Sequence, residues 1–501
     1  MTEKLKKVEF GDFQTPLKLS SNVISSLDDI ASYERIIEPT CGLGAFLISL
    51  VQQSIPYTKL EGWEINPIYA EEANKKINKL FKQEVNLVKQ QDFFEIQWDK
   101  AKAKFTSKTL FIGNPPWVTN SELGKLLSQN LPEKANFQGL KGLEAMTGKS
   151  NFDISEWMLI QLLELISDSD SGIAFLIKTS VARKLIQFID KNSLYIDNIS
   201  IKEIDAKKHF DVSVDACLFL ANGCNHLPNS VRCEVYNDQN WNEPYKTMGV
   251  IHSQLVSNIS DYLNLSHIDK GSEFKWRSGV KHDASKVMEL TLHGDELKNG
   301  DKEDVNIEQH FLYPMYKSSN IAKTTLPPPI KFMIVTQKKI GDETKNISTV
   351  APLTWQYLLE NSEKLDGRKS SIYKNSPRFA IFGVGDYTFK PYKVAISGMY
   401  KNVSFTKVGL FNEKAIVLDD TCYMLGFDTE EEADIIYTLL SSETCKKFIN
   451  SIVFIDNKRP ITVALLNRIN LKEIAIEEGL GDDYEDIFSC KENNKNLELS
   501  L

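Results

Sequence analysis

No stretch of the 501 residues approaches the ~18–20 consecutive apolar positions that a membrane-crossing helix requires. No apolar core follows the charged opening Met1-Thr-Glu-Lys-Leu-Lys-Lys7, so a secretory signal is not expected. Cysteine is scarce and scattered. Cys41, Cys217, Cys224, Cys233, Cys422, Cys445 and Cys490 are odd in number and fit thiols in a reducing cytoplasm better than a disulfide framework. Internal repeats and low-complexity tracts are missing. Positive charge is in deficit at −9, which on its face speaks against a nucleic-acid partner.

What is there is an ordinary globular mix, with 42% hydrophobic, 25% charged and 10% aromatic residues. That composition excludes a mostly disordered, collagenous or fibrous chain. The length is about three times a ~150-residue domain, so two large domains are expected. The charge is also uneven. Lys331 to Lys407 holds 13 Lys/Arg against 6 Asp/Glu, and Leu471 to Leu501 holds 3 against 9. A basic segment beside an acidic tail permits polyanion binding at a local face without proving it.

From about residue 34 to 220, short apolar runs alternate with helical stretches. The runs are 35–38, 59–64, 85–88, 109–113, 172–177, 199–204 and 214–220. Candidate helices at 45–53, 68–81 and 154–166 have apolar residues near 3- and 4-residue spacing. Seven strands with helical crossovers predict an α/β fold with a mostly parallel, doubly wound sheet that binds ligands at the strand C-terminal ends. Too little chain separates the last two runs for a crossover, so the final strand is expected to return antiparallel. After Asn222 the texture changes, and a boundary is placed near 245. The remainder mixes strand-like runs (332–336, 379–382, 394–396, 414–418) with one clear helix, 429–440, which opens on an acidic turn.

Four motifs carry chemistry. In Ile36-Ile-Glu-Pro-Thr-Cys-Gly-Leu-Gly-Ala-Phe46 a strand ends in Glu38, and Gly42 and Gly44 then let the backbone pass close to a ligand. Leu47 stands where a dinucleotide fingerprint would have its third glycine, so an ordinary βα turn is the competing reading. Leu60-Glu-Gly-Trp-Glu64-Ile65 puts a second acid at the next strand end, where a carboxylate grips a ribose diol. Gln90-Gln-Asp92-Phe93 offers a carboxylate for an adenine amino group and a ring for its face. Each has a bland alternative as a solvated strand end, but three acids at successive strand ends make a coherent nucleoside rim. The fourth, Leu110-Phe-Ile-Gly-Asn114-Pro115-Pro116-Trp117, decides the class. Two prolines stiffen the exit from the sheet. On that bracket the Asn114 side-chain oxygen and the Pro115 carbonyl can converge on one NH₂ group, drawing a planar nitrogen toward sp³ geometry, and Trp117 can face the ring that bears it.

These pieces, with Phe13-Gln-Thr-Pro16 ahead of them and His209-Phe210-Asp-Val-Ser-Val-Asp-Ala after, resemble the gamma-group (Taq-type) adenine-N6 DNA methyltransferases of restriction–modification systems. The likeness spans roughly residues 10–220 by motif, and layout alone beyond 245. It implies a class I S-adenosylmethionine-dependent methyltransferase core over 1–245 and a mixed α+β target-recognition domain over 246–501. It also implies double-stranded DNA as substrate, and a separately encoded restriction endonuclease as possible partner, since no nuclease signature is visible. Thr15 and Pro16 would flank the methionine end of S-adenosyl-L-methionine. Glu38, Cys41, Gly42 and Gly44 would line its methionine and sulfonium region. Glu64, with Ile65 beside it, would take the ribose, and Asp92 with Phe93 the adenine. Asn114, Pro115 and Pro116 would present the target amine, with Trp117 and Phe210 sandwiching the flipped base. Glu38 replaces the commoner Asp, and Trp117 the commoner Tyr or Phe, which leaves the base preference less sharply defined. Residues 118–150, with four glycines, suggest a flap.

The same bracket occurs in enzymes that methylate a glutamine amide or RNA bases, and a binding-only protein with a dead core is a further alternative. About 250 residues after the core exceed what a small target needs. Basic-aromatic clusters there, including Lys275, Arg277, Lys281, Arg368, Arg378, Lys390 and Lys393, suit phosphate contacts with base-edge readout, against the plain reading of solvated turns. No metal is expected: Cys217, Cys224, His226 and Cys233 match no usual zinc spacing.

Overall fold

The computed structural model describes residues 14–101, 107–118, 153–455 and 459–488. Phe13, the glycine-bearing segment beyond Val118 and the end of the acidic tail from residue 489, Cys490 included, lie outside them. The seven expected runs form strands β1 (Arg35–Glu38), β2 (Lys59–Glu64), β3 (Val88–Gln90), β4 (Thr109–Gly113), β5 (Gly172–Lys178), β6 (Ile196–Ile204) and β7 (Ala216–Gly223). The first five pair in parallel in the order β3-β2-β1-β4-β5. β7 runs antiparallel between β5 and β6. Helices Ala45–Gln52, Pro67–Phe81, Ile154–Ile166 and Thr179–Lys191 supply most of the covering layers. Strands covered on both faces need apolar residues at every position, and β4 is buried along its whole length. β3 begins later than the run 85–88 suggests. Asn78 and Asn74 on the preceding helix accept from the Val85 and Val88 amides, so ladder pairing with β2 starts only at Val88.

Two expectations need correction. The sheet has ten strands, not seven: β8 (Arg232–Tyr236) adds in parallel to β6, and β9 (Lys246–Ile251) and β10 (Gln254–Val256) continue antiparallel. The compact units accordingly divide between Ile259 and Ser260, past the boundary placed near 245. The reason is physical. In β8 exposed Arg232 and Glu234 alternate with buried Cys233 and Val235, a half-solvated edge pattern too short to register as periodic.

In the second unit one sheet orders β11 (Arg277–Ser278), β19 (Cys422–Phe427), β16 (Tyr392–Ser397) and β17 (Phe405–Val408). A second orders β13 (Glu296–Lys298), β12 (Glu289–His293), β15 (Lys331–Ile334), β14 (Leu312–Tyr316) and β18 (Val417–Leu418). The helix Glu430–Ser441 opens on a capping box, in which Thr429 accepts from the Glu432 amide and the Glu432 carboxylate accepts from the Thr429 amide. The apolar run 379–382 is not a strand. Phe379, Ala380 and Ile381 fill the core instead, and only Phe382 bridges, to Lys281.

Candidate active site

The strand-end acids of β1 and β2 converge on the glycine turn. Gly42 and Gly44 hold φ of +50° and +78°, a left-handed backbone that side-chain-bearing residues adopt reluctantly. Glu38 is 3% exposed, and its Oε2 accepts from the Leu47 amide at 3.2 Å in the first turn of the next helix. Burial pushes its carboxyl well above the usual range, against the pull of the Leu47 and Phe46 amides. Glu64 uses both oxygens, accepting from the Gly42 and Asn66 amides at 2.8 Å each. Ile65 beside it is an exposed apolar side chain, 37% accessible. Cys41 is buried in the same turn, and burial raises its thiol well up, which suits a packing residue and not a nucleophile.

The third acid sits on the neighbouring strand end. The Gln91 amide donates to the Glu64 carbonyl at 3.0 Å, and Asp92 Oδ1 accepts from the Phe94 amide at 2.8 Å. Phe93 departs from its expected role. Its ring is 4% exposed and packs on Trp98 at 4.6 Å and Trp157 at 6.1 Å between centroids, leaving no open face for an adenine. That aromatic cluster anchors the turn which presents Asp92.

The bracket lies against this rim. A Cβ on Gly113 would stand 3.6 Å from Glu38 Cγ and 3.3 Å from the Phe175 ring, so the last residue of β4 passes close beside the first motif's acid. Asn114 Nδ2 donates to Thr15 Oγ1 at 3.2 Å, which fixes which arm of the amide faces which way. Pro16 caps the helix Leu17–Ser25 that follows. One residue earlier, Gln14 Oε1 accepts from the Leu43 amide at 3.1 Å, and a Cβ on Gly42 would meet the Gln14 amide at 2.8 Å. Gln14, Thr15, Gly42, Glu64 and Asn114 thus form one connected cluster. Gln14 was not assigned from sequence, although it stands inside the quoted segment between Phe13 and Thr15. Pro115 is buried and Pro116 partly so.

Trp117 and Phe210 need a second correction. Trp117 is 5% exposed and its Nε1 donates to the Leu176 carbonyl at 3.1 Å. Its ring meets Phe210 edge to face, 5.1 Å between centroids at 68°. Two rings in that contact leave no slot for a base between them. Phe210, partly exposed at the end of the helix Ala206–Phe210, is the ring with accessible surface.

Most of the seven basic candidates in the second unit prove to be engaged. Arg368 braces three backbone carbonyls, those of Leu365, His282 and Ala380, and lies 3.7 Å over the Tyr373 ring. Lys393 is fully buried in β16, its Nζ donates to the Lys390 carbonyl at 2.6 Å, and burial lowers its amine to about 7. Neither can be a phosphate contact as placed. Arg378 pairs with Asp366 at 2.9 Å, Lys390 with Asp428 at 2.5 Å and Lys281 with Asp283 at 2.9 Å. Arg277 lies 5.2 Å over the Tyr387 ring, and Lys275 is exposed.

The glycine turn of Gly42 and Gly44 thus lies between two strand-end acids, beside a proline-stiffened asparagine at the end of β4. No family model matches the chain. A curated relative, the type II methyltransferase M.NspV of Nostoc sp. (strain ATCC 29411 / PCC 7524), is 41% identical over 471 residues, covering 94% of this chain and 98% of its own. The chain belongs to the type II methyltransferases. Among solved structures, the type IIL restriction-modification enzyme MmeI in complex with DNA superposes with a TM-score of 0.53 at 15% identity, over 93% of this chain and 66% of that one, which supports the fold. The cofactor is S-adenosyl-L-methionine. The residues fit such a group: Gly42 and Gly44 leave two positions of the turn without side chains, and carboxylates for hydroxyl and amino groups stand beside it. Among the described residues no helix is long and apolar enough to cross a membrane.

Proposed function

We propose that the protein is a site-specific DNA methyltransferase that methylates N6 of an adenine turned out of duplex DNA, the modifying arm of a restriction–modification system. One observation carries the reading: Asn114, held by Thr15 at the end of β4, stands beside the Glu38–Gly42–Glu64 turn. With the amide nitrogen engaged by Thr15, the carbonyl arm of Asn114 and the Pro115 carbonyl are the acceptors for a target NH₂. Accepting both protons withdraws the nitrogen lone pair from the ring and aims it as a nucleophile.

S-adenosyl-L-methionine, when bound, supplies an electrophilic methyl group on a sulfonium. Glu64 would hold its ribose and Asp92 its adenine, with Gln14, Thr15 and Glu38 around the methionine end. An adenine N6 inside a duplex cannot reach a strand-end site, so the base must leave the stack at a cost of a few kcal/mol. Stacking on an aromatic ring offsets about 1–3 kcal/mol of that, and Phe210 is the ring with surface to offer. Transfer is direct, with Asn114 and Pro115 holding the amine and no covalent enzyme intermediate. Residues 260–501 would select the site.

Long-read sequencing of DNA from cells expressing the chain tests this. N6-methyladenine in one recurring sequence is expected. Methylation confined to RNA or protein, or N4-methylcytosine in the DNA, would overturn it.

A further inference from the structure

Three side chains with metal-binding atoms meet away from the cofactor. Asp197 in β6, Cys224 just past β7 and His226 two residues on bring a carboxylate oxygen, a thiol sulfur and an imidazole nitrogen within 4.8 Å of one another. The topology sets this distance. Ile196 pairs with Gly223 across β6 and β7, and the Cys224 amide donates to the Tyr195 carbonyl at 3.0 Å. The β6–β7 register then shifts between Asp197 and Ser200, a bulge of the kind that re-aims a side chain. Asn222 of β7 pairs with Gly172 at the start of β5, whereas Asn114 leaves the other end of the sheet, so the cluster lies at the edge opposite the methyl-transfer site.

A second observation points to a ligand. Asp197 Oδ1 is buried from solvent and has no hydrogen-bond partner. A buried carboxylate oxygen without a donor is costly, and such atoms are rare unless a water or ion satisfies them. No cationic side chain fills the role, as Asp197 makes no ion pair among the described residues.

We propose that Asp197, Cys224 and His226 form a structural site for a divalent transition ion of the zinc class. Thiolate with imidazole selects a borderline-soft ion over calcium or magnesium. On binding, the Cys224 thiol gives its proton to solvent and the sulfur bonds the ion. Thiolate and carboxylate together then balance the two positive charges, and solvent completes the coordination. Ligands at 2.0–2.3 Å from a tetrahedral ion stand about 3.3–3.8 Å apart, a spacing that the exposed His226 on its turn can close to. This set differs from the cysteines close in sequence, because Cys217 and Cys233 are fully buried within strands. The ion would pin the turn after β7, from which the chain crosses to β8.

The test uses the metal-free full-length chain titrated with cobalt(II). One equivalent is expected to give a near-ultraviolet thiolate-to-cobalt band, bleached by zinc, and zinc should raise Tm. Asp197→Asn and Cys224→Ser should lose the band, and so should His226→Ala, which alters only an exposed turn residue. His252→Ala, on the β9–β10 hairpin, should keep it. Absence of the band in the unaltered chain, or its full retention in His226→Ala, would overturn the proposal.

Discussion

The two units treat their polar side chains in opposite ways. In residues 14–259 the assigned polar residues converge: Glu64 reaches Gly42 and Asn114 reaches Thr15, and the unassigned Gln14 joins them through the Leu43 amide. In residues 260–488 the basic residues singled out by clustering disperse into unrelated duties, from bracing carbonyls at Arg368 to burial at Lys393. The difference lies in what each pattern encodes. A strand-end acid or an Asn-Pro-Pro exit is tied to the sheet's geometry, so its place in sequence sets its place in space. Local charge density has no such tie, and a lysine is as readily neutralised by a neighbouring acid as presented to a phosphate.

The comparison breaks first at Asn114. Asn114→Ala should cut single-turnover methylation by at least about 10²-fold, the scale of removing one preorganised hydrogen-bonding group from a transition state. Cofactor affinity should stay nearly intact, since the rim is untouched. Thr15→Val removes only the anchor and should fall between the two. Equal loss of cofactor affinity in Asn114→Ala would reassign the residue to the rim.

Next comes Glu64. Replacing it with Ala should weaken cofactor binding by roughly 1.5–3 kcal/mol, the range for a charge-assisted hydrogen bond. It should also lower Tm, because the same carboxylate holds the Gly42 and Asn66 amides. Calorimetry separates the two duties. A lowered Tm with unchanged affinity would make Glu64 a clamp on the turn and nothing more.

Legibility followed the same division. The seven core runs, the antiparallel return of β7 and the strand-end positions of Glu38, Glu64, Asp92 and Asn114 are legible because each run centres on buried apolar residues, and β1 and β4 end in turns punctuated by Gly and Pro. The three added strands could not, since β8 to β10 are short and half-solvated. Ring orientation was also invisible. An aromatic residue in a motif reads alike whether it faces a ligand or, like Phe93 and Trp117, packs inward. Asp197 is not legible as a neighbour of Cys224, because it lies 27 residues before it in sequence and only strand pairing brings the two together.

Lys393 sharpens the contrast within the second unit. Its amine titrates at about 7 in the folded chain against ~10.4 unfolded. Between those values the unfolded state holds the extra proton, so stability should rise with pH, by at most about 1.4 kcal/mol per unit. Lys393→Met should flatten that rise and leave the salt dependence of DNA binding unchanged. Denaturant midpoints from pH 7 to 9 check it. Parallel curves for both proteins would mean that the amine reaches water.

The smallest expected effect tests whether the second unit reads DNA. Each phosphate contacted on a duplex releases counterions and adds about −0.9 to the log–log slope of affinity against salt. With Arg368 and Lys393 committed to the fold, Lys275 and Arg277 are the better candidates: Lys275 is exposed, and Arg277 rests on the Tyr387 ring and pairs with no carboxylate among the described residues. Replacing both with Ala should flatten the slope by up to about two units. If both touch only phosphates, a methylatable duplex and a scrambled one should weaken alike. If Arg277 reaches a guanine edge, the methylatable duplex should lose ~1–3 kcal/mol more. Lys390→Ala, which gives up an ion pair to Asp428, should move the slope little. An unchanged slope in the double variant, with a steep one retained by the parent, would place the phosphate contacts elsewhere. The convergence of function in the first unit would then have no counterpart at this face of the second.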